Sequence, residues 1–406
     1  MHLFWFASTL CAILAEPISA VDKCLSNDSD VRNLTDRYVV TLKQKVNLTE
    51  HILHIESVTI GRTQGDNLRC EGVVRRYEMP GFKGYAGFFS KSIIDRLKEN
   101  PEIDTIEPDQ AWNMVLPPRE PPRHRAGYSL SLISHRRIMI NSNEYSYDPQ
   151  AMTGTYAYVL GTGINIRHAE FEGRASLGYN AVNIGDQVSL DVNGEGTHIA
   201  GIIGSRTYGV VKGCHLIAVK AYHHPHWAVV SQVLDAYIWA ANNMIDSRRT
   251  QKGVIMLPVT GRFSKALSKA INSAFRDGVS TVDCAGNKNK EISARPGESS
   301  YAITVSATDE SRRRAQFANW GRGVNMYAPG TWIVSTTPRS KHATGVRSGT
   351  AQAAAHVAGL ILYFKRLHTL PDAHGTKVYL LRQALDGVVQ EPDGKRRPFA
   401  YNGSGR

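Results

Sequence analysis

Short apolar segments alternate with segments of helical periodicity through the second part of this 406-residue chain. The apolar segments cover residues 156–160, 216–220, 254–257, 280–285 and 302–307, and the helical patterns cover residues 231–243, 265–277 and 350–367. Parallel strands need long crossover connections, which helices usually supply. The alternation therefore predicts an α/β domain over residues 128–406, with a parallel sheet covered by helices on both faces.

The preceding part of the chain has a different pattern. The pattern is a strand at residues 38–42, a helix region, a strand at 73–77, a glycine-rich turn, a helix at 91–100 and a closing strand at 104–107. This order predicts a small α+β domain over residues 21–112. A proline-rich, basic stretch follows, in which neither a helix nor a central strand is expected. We predict a linker over residues 113–127.

The N-terminus has the composition of a signal peptide. An apolar run from residue 3 to residue 15 is followed by Pro17 and small residues, which predicts cleavage after Ala20. No later apolar run reaches the roughly 20 residues of a membrane span. We therefore predict a secreted, extracellular protein without a membrane span.

Secretion makes glycans and disulfides possible. Four Asn-x-Ser/Thr sequons are candidate glycosylation sites, at Asn27, Asn33, Asn47 and Asn402. Cleavage of the signal peptide leaves four cysteines. Cys24 and Cys70 are the natural pair because both lie in the first domain, whereas Cys214 and Cys284 stand beside predicted strands and are as well explained by thiols as by a disulfide.

The formal net charge of +12 is unevenly distributed. Residues 21–112 carry a net charge of −2 and residues 113–406 a net charge of +15. The positive residues are scattered singly or in twos and threes, without interleaved aromatics or a nucleic-acid motif. We therefore predict no nucleic-acid partner, while binding of another polyanion remains an alternative.

Four stretches of the large domain carry a family resemblance. They are Leu-Gly-Thr-Gly-Ile-Asn at residues 160–165, Asn-Gly-Glu-Gly-Thr-His-Ile-Ala-Gly at 193–201, Asp-Cys-Ala-Gly-Asn at 283–287, and Ser-Gly-Thr-Ala-Gln-Ala-Ala-Ala-His-Val-Ala-Gly at 348–359. In this order they resemble the subtilisin-like serine proteases of the proteinase K type. The first domain resembles that family's inhibitor-type propeptide at residues 84–87 and 106–109. The resemblance implies a subtilisin-like three-layer fold preceded by a ferredoxin-like propeptide domain.

Catalysis in that family needs a Ser nucleophile, a His that takes its proton and an Asp that orients the His. The matching positions here hold Ala351, Glu195 and Gly161, so none of the three is intact. Asn287 matches the Asn that stabilises the family's oxyanion. These substitutions predict an inactive homologue that is not an enzyme.

The edges of the substrate groove also depart from the family pattern. In the family an extended peptide pairs with two backbone edges. One edge reads Pro258, Val259, Thr260 and Gly261, where proline removes a backbone donor. The opposite edge includes His226 and Trp227 in place of small residues. The sequence therefore predicts a rebuilt groove.

Metal ions and cofactors are not expected. His223, His224 and His226 suggest zinc, but consecutive loop histidines rarely converge on one ion. Arg312 matches an Asp that binds calcium in the proteinase K group, and its charge would repel the ion. His198 and His356 are interpreted as structural residues.

The leading hypothesis is a secreted subtilisin-fold pseudoprotease with a binding or regulatory function. Its predicted partners are its own propeptide, retained in the groove, and a peptide, a protease inhibitor or another secreted protein. One alternative is a hydrolase that uses Glu195, Asp283 and Asn287, with Asp283 facing the site. The other is a secreted glycoprotein that binds polyanions through its basic domain.

Overall fold

The computed structural model describes residues 34–59, 72–113, 127–139, 142–182, 191–222, 227–258, 263–292 and 301–406. Several predicted features lie outside these ranges. They are the signal peptide, Asn27, Asn33, Cys24, Cys70, nearly all of the linker, Val259, Thr260, Gly261 and the three histidines from His223 to His226. Within the described ranges, no helix combines the length and the apolar character needed to cross a membrane.

The N-terminal domain is an antiparallel sheet with strand order β2-β3-β1-β4 and two helices. Its elements are β1 (Arg37–Leu42), α1 (Leu48–Thr59), β2 (Gly72–Met79), β3 (Phe82–Phe88), α2 (Lys91–Glu99) and β4 (Ile103–Pro108). Two of the glycines predicted to form a turn lie inside β3 instead. A Cβ on Gly84 would come within 2.4 Å of the Val40 carbonyl oxygen, so the close pairing of β3 with β1 requires glycine there.

The C-terminal domain contains a nine-stranded sheet with the order β16-β17-β13-β12-β11-β10-β6-β8-β7. All of its pairs are parallel except β16 with β17. The strands are β6 (Thr153–Gly161), β7 (Ala175–Asn180), β8 (Gly213–Lys220), β10 (Gly253–Leu257), β11 (Thr281–Cys284), β12 (Ile303–Thr308), β13 (Met326–Pro329), β16 (Leu385–Gln390) and β17 (Arg396–Phe399). The predicted α/β class is confirmed.

Helices cover both faces of this sheet. On one face, Val159 and Val254 pack against α7 (Thr350–Leu367) and α4 (Glu195–Gly204). Tyr158, Leu160 and Ile255 pack on the opposite face, against α5 (Val230–Asp246) and α6 (Lys265–Arg276). Alternate residues of one strand thus face different helix layers, as expected for a fully covered parallel sheet.

The remaining elements are short. They are β5 (Ala111–Asn113), α3 (Tyr128–Ser134), β9 (Trp227–Val229), the hairpin strands β14 (Ile333–Thr336) and β15 (Thr344–Arg347), and α8 (Ala373–Gln383). None of these elements was predicted from the sequence, and neither were strands β7, β13, β16 and β17 of the large sheet. Cys214 on β8 and Cys284 on β11 are both buried thiols.

The side chain of Arg312 binds three backbone carbonyl groups. Its guanidinium donates hydrogen bonds to the carbonyl oxygens of Arg136, at 2.7 Å, and of Leu132, at 3.0 Å, and also to that of His135. Its charged carbon lies 4.9 Å from the centroid of the Phe399 ring. A side-chain cation therefore joins the start of the C-terminal domain to its last strand.

His198 and His356 are fully buried in this domain. Burial lowers the pKa of His198 to about 3 and that of His356 to about 4, both below the value of about 6.5 in an unfolded chain. The unfolded state therefore binds more protons below pH 6.5, and stability falls as the pH drops from 6.5 towards 4. We expect a loss on the order of 3 kcal/mol per histidine over that range.

Urea unfolding at pH 7.0, 5.5 and 4.5 measures this loss. Glutamine cannot take up a proton, so the stability of His356→Gln should fall less steeply with acid than that of the wild type. His54→Gln, on the exposed face of α1, is the control and should follow the wild-type curve. An unchanged slope in His356→Gln would contradict the assignment.

Candidate functional site

The carboxyl ends of the central strands bring together two loops and two helix N-termini. Strand β6 ends at Gly161, where an added Cβ would lie 3.7 Å from the Cα of Gly196. Thr162 follows; its hydroxyl donates to Asp191 at 2.8 Å and accepts from the Gly196 amide at 3.1 Å. The turn after β6 is thereby tied to the first turn of α4.

Asp191 organises the start of α4. Its buried carboxylate accepts hydrogen bonds from the backbone amides of Asn193, Gly194 and Thr197 and from the hydroxyls of Thr162 and Thr197. A carboxylate is favourable here because the amides of a helix N-terminus carry partial positive charge. Asp191 was not predicted from the sequence, because it lies four residues before the start of α4 and is not the N-cap, which is Gly194.

Glu195 is the first residue of α4 and is only 5% exposed. One carboxylate oxygen accepts from Arg347 at 2.7 Å and the other from the amide of Gln352 at 2.7 Å. Arg347 also donates to the carbonyl of Asn193 at 2.8 Å. The carboxylate is therefore held by groups from the hairpin and from α7, neither of which was predicted to contribute.

Ala351 and Asn287 meet at the N-terminus of α7. Ala351 lies in the first turn of α7, half-buried, and is followed by Gln352. The side-chain oxygen of Asn287 accepts from the amide of Thr350 at 3.0 Å and from its hydroxyl at 2.9 Å. The structure thus places Glu195, Ala351 and Asn287 around one helix N-terminus, with Gly161 beside Gly196.

Asp283 does not belong to this cluster, and the expectation that it faces the site is wrong. Its carboxylate accepts from the Thr304 hydroxyl at 2.6 Å, and Lys377 of α8 is close enough for their charges to interact. Asp283 alternates with Val282 and Cys284, which pack on the α7 side of the sheet. Its side chain therefore points to the other face.

A tail of the N-terminal domain lies along the neighbouring edge. Strand β5 pairs antiparallel with β9, with Ala111 opposite Val229 and Asn113 opposite Trp227. Next to this ladder the amide of Val230 donates to the carbonyl of Gln110 at 3.0 Å. Trp112, in the middle of β5, is 1% exposed and packs with the core on the α5 side of the sheet.

Two carboxylates of the N-terminal domain reach helices of the C-terminal domain. Glu107 accepts from the Ser264 hydroxyl and the Lys265 amide at the start of α6, at 2.5 and 2.8 Å. Asp109 accepts from the amide and the hydroxyl of Ser231 at the start of α5, at 3.0 and 2.6 Å. Both contacts satisfy helix amides that would otherwise lack partners.

The structure also describes two residues of the predicted groove edges and two of the four predicted glycosylation sites. Pro258 is buried just after β10, and Trp227 opens β9. The side chain of Asn47 is exposed, but Asn402 is 2% exposed and its amide donates to the Ser146 carbonyl at 2.7 Å. A glycan on Asn402 would break that contact, so the folded state disfavours this acceptor.

Within the described ranges, no three His, Cys, Asp or Glu residues are placed to hold a metal ion.

Comparisons with known proteins cover nearly the whole chain. The model of the subtilase family matches residues 153–397, and that of peptidase inhibitor I9 matches residues 37–114. A subtilisin-like protease of Coccidioides posadasii is 33% identical over 94% of this chain and 95% of its own length. The alkaline proteinase of Hapsidospora chrysogena is 36% identical over 91% of this chain and 92% of its own. Alkaline protease 1 of Aspergillus flavus is 34% identical over 99% and 98%.

These findings contradict one prediction made from the sequence. The chain was predicted not to be an enzyme, because Gly161, Glu195 and Ala351 replace the three catalytic residues. Relatives that match over more than nine tenths of its length are named proteases, and the family that matches is a family of peptidases. The prediction that the chain is not an enzyme is therefore wrong, because the matching family and the named relatives point to a protease.

The solved structures agree with this relationship. A cold-adapted subtilisin-like serine proteinase aligns with a TM-score of 0.63 and 31% identity, covering 68% of this chain and 98% of that one. The subtilisin-like fold of the C-terminal domain and the inhibitor-type domain before it are thus confirmed. Taken with the arrangement of β6, α4 and α7 around one site, these matches show that the chain belongs to the subtilase family.

Proposed function

We propose that this chain is a secreted, binding or regulatory member of the subtilase family, whose groove holds an extended peptide by strand addition. The observation that carries the proposal is the antiparallel pairing of Ala111–Asn113 with Trp227–Val229. Backbone pairing supplies affinity with little dependence on sequence, and pockets for alternate side chains supply selectivity. Trp112 fills such a pocket.

The triad-equivalent positions support binding as the main role of this groove. We take Gly161, Glu195 and Ala351 to correspond to the family's Asp, His and Ser. Ala351 has a methyl group in place of a hydroxyl, so it offers a base no acidic proton and has no nucleophilic oxygen. The carboxylate of Glu195 is already engaged by Arg347 and Gln352, at 2.7 Å each. The hydrogen bonds from Arg347 and Gln352 to Glu195 therefore stabilise the structure around the groove.

The N-terminal domain is the first partner that we propose. Glu107 and Asp109 bind the starts of two helices, and Arg75 forms an ion pair with Asp235 of α5. The net charges of −2 and +15 on the two parts of the chain add a long-range attraction. We propose that this domain remains bound in the secreted protein, and that another protein, a protease inhibitor or a peptide competes with its tail.

Hydrolysis by an unconventional residue set is the second candidate. The observation that favours it is the match to named proteases over nearly the whole chain. In this candidate Glu195 acts as the base and Asn287 stabilises a developing oxyanion. Asp283, which faces the other side of the sheet, takes no part.

One experiment separates the two candidates. The labelled heptapeptide Pro-Asp-Gln-Ala-Trp-Asn-Met, which is residues 108–114, is titrated against the full chain and against its Trp112→Ala variant. In the wild type the tail competes from within the molecule at an effective concentration in the mM range, so micromolar peptide should stay unbound. Trp112→Ala weakens the tail, and we expect it to bind the peptide at least about tenfold more tightly.

Trp320→Ala removes a partly buried tryptophan away from β5 and should behave as the wild type. Recovery of the bound peptide at its original mass supports the binding function. If Trp112→Ala fails to bind the peptide, as the wild type and Trp320→Ala are expected to do, the binding function is overturned. Cleavage of the peptide that disappears in Glu195→Gln would replace it by the second candidate.

A further inference from the structure

The end of the sheet opposite to the groove has a different chemistry. A cation directly precedes three of the parallel strands: Arg174 before β7, Lys212 before β8 and Lys252 before β10. Together with β6, these strands are adjacent in the order β10-β6-β8-β7. Since neighbouring strands are about 4.8 Å apart, the cations form a row along the amino ends of the sheet.

The cations at the β10 and β6 end of this row form no ion pair with any residue that the structure describes. Arg174 is paired with Glu172 at 3.3 Å, and Lys212 donates to the Thr207 and Gly209 carbonyls. In contrast, the ion pairs of the described residues include none to the basic patch, which we define as Arg248, Arg249, Lys252 and Arg366. All of the patch except Arg249 is exposed, and Arg249 is half-buried.

Aromatic rings hold part of this patch in place. The guanidinium carbon of Arg249 lies 4.2 Å from the centroid of the Tyr156 ring, and Nζ of Lys252 lies 5.7 Å from it. Arg249 also donates to the Tyr158 hydroxyl at 3.0 Å. A guanidinium fixed by a ring and a hydroxyl loses little conformational freedom when it binds a further anion.

Arg366, on the last turn of α7, extends the patch to strand β6. Its Nε lies 3.9 Å from the place that a Cβ on Gly154 would take. The His215 ring is stacked on the Tyr156 ring, with their centroids 5.0 Å apart, and His215 is exposed. Partial burial lowers the pKa of His215, and the charges of Arg174 and Arg249 lower it further. The cations of this surface therefore disfavour protonation of a neighbouring histidine, as expected for a region of positive potential.

We propose that the basic patch is a binding site for a sulfated polysaccharide. Sulfate groups repeated along a flexible chain fit the four cations of the basic patch, and the planar guanidinium of Arg249 can contact two oxygens of one group. A single-stranded nucleic acid is disfavoured because its bases stack on open aromatic faces. Here the Tyr156 ring already packs against Arg249 and His215. The patch lies opposite to the groove, so this site is independent of peptide binding.

The test uses the full chain and heparin as the probe, at about 0.15 M salt and along a salt gradient. The patch variant is Arg248→Gln with Lys252→Gln, both exposed. Its matched control is Arg322→Gln with Arg339→Gln, which removes the same charge from exposed positions elsewhere. We expect heparin affinity to fall on the order of tenfold in the patch variant. We also expect a shallower salt dependence, because fewer counterions are released.

The control should keep most of the wild-type affinity, and desulfated heparin should not bind. Equal losses in the two variants would mean that overall charge decides binding, and would overturn the proposed site. Absence of heparin binding by the wild type would overturn it as well. Single-stranded DNA of the same length binding as tightly as heparin would replace the polysaccharide with a nucleic acid.

Discussion

Replacing Glu107 by Gln and Asp109 by Asn is expected to release the N-terminal domain once the linker is cut. Glu107 accepts from the Ser264 hydroxyl at 2.5 Å and the Lys265 amide at 2.8 Å, and Asp109 from the amide and hydroxyl of Ser231. Each carboxylate combines charge-assisted hydrogen bonds with the favourable field of a helix N-terminus. We expect the double variant to lose about 3 kcal/mol of binding free energy between the domains.

Limited trypsin digestion provides the cut, because the linker contains Arg119, Arg123 and Arg125. Size-exclusion chromatography then shows whether the two fragments elute together. The control is Asp95→Asn with Glu99→Gln, which makes the same charge change on the exposed face of α2. Wild type and control should stay associated while the double variant separates. Association of all three would show that the two carboxylates do not hold the domains together.

Loss of Arg347 is expected to destabilise the C-terminal domain strongly. Glu195 has a side chain that is only 6% exposed, and Arg347 is the cation paired with it, at 2.7 Å. Arg347→Met leaves this carboxylate buried with Gln352 as its remaining side-chain donor. Breaking a buried ion pair from one side costs about 3–5 kcal/mol of unfolding free energy.

The double variant Glu195→Gln with Arg347→Met removes both charges and should cost less than Arg347→Met alone. Urea unfolding of wild type, single and double variants gives the coupling free energy. Arg406→Met breaks the exposed pair with Glu144 and should cost at most about 1 kcal/mol. If Arg347→Met costs no more than Arg406→Met, the pair does not stabilise the site.

Much of the fold could be predicted because the signals are local. The helix predicted over residues 350–367 agrees with Thr350–Leu367, and the strand predicted over 254–257 differs from Gly253–Leu257 by one residue. Both have strong apolar patterns with clear ends. Helix α8 was missed because most of its apolar residues form one consecutive run, at 378–381, and do not recur at helical spacing. Its buried residues are Ala373, Thr376 and Leu380. Its start is fixed by Asp372, whose side chain accepts from Gly375.

The site was predictable only in part, because its chemistry depends on contacts between distant segments. Glu195 and Asn287 stand in recognisable motifs, so the sequence identified them. Arg347 and Gln352 reach Glu195 across more than 150 positions of the chain, and neither has a local signal of that role. Asp283 lies next to the motif that contains Asn287, but the alternation of strand β11 turns its side chain away from the site.

Backbone hydrogen exchange along β5 tests the central claim most directly, namely that the groove holds an extended segment of the chain. In the intact protein Trp112 lies opposite Ala228, and the Val230 amide donates to the Gln110 carbonyl in the same register. Because hydrogen-bonded pairs alternate along an antiparallel ladder, the amides of Trp112 and Ala228 face the partner strand, whereas those of Ala111 and Asn113 face away from it. We predict that the Trp112 amide exchanges about as slowly as the Ala228 amide, and that Trp112→Ala raises the exchange of both positions. Exchange of Trp112 at the rate of an unstructured peptide, with Ala228 still protected, would contradict the claim that this groove is occupied by strand addition.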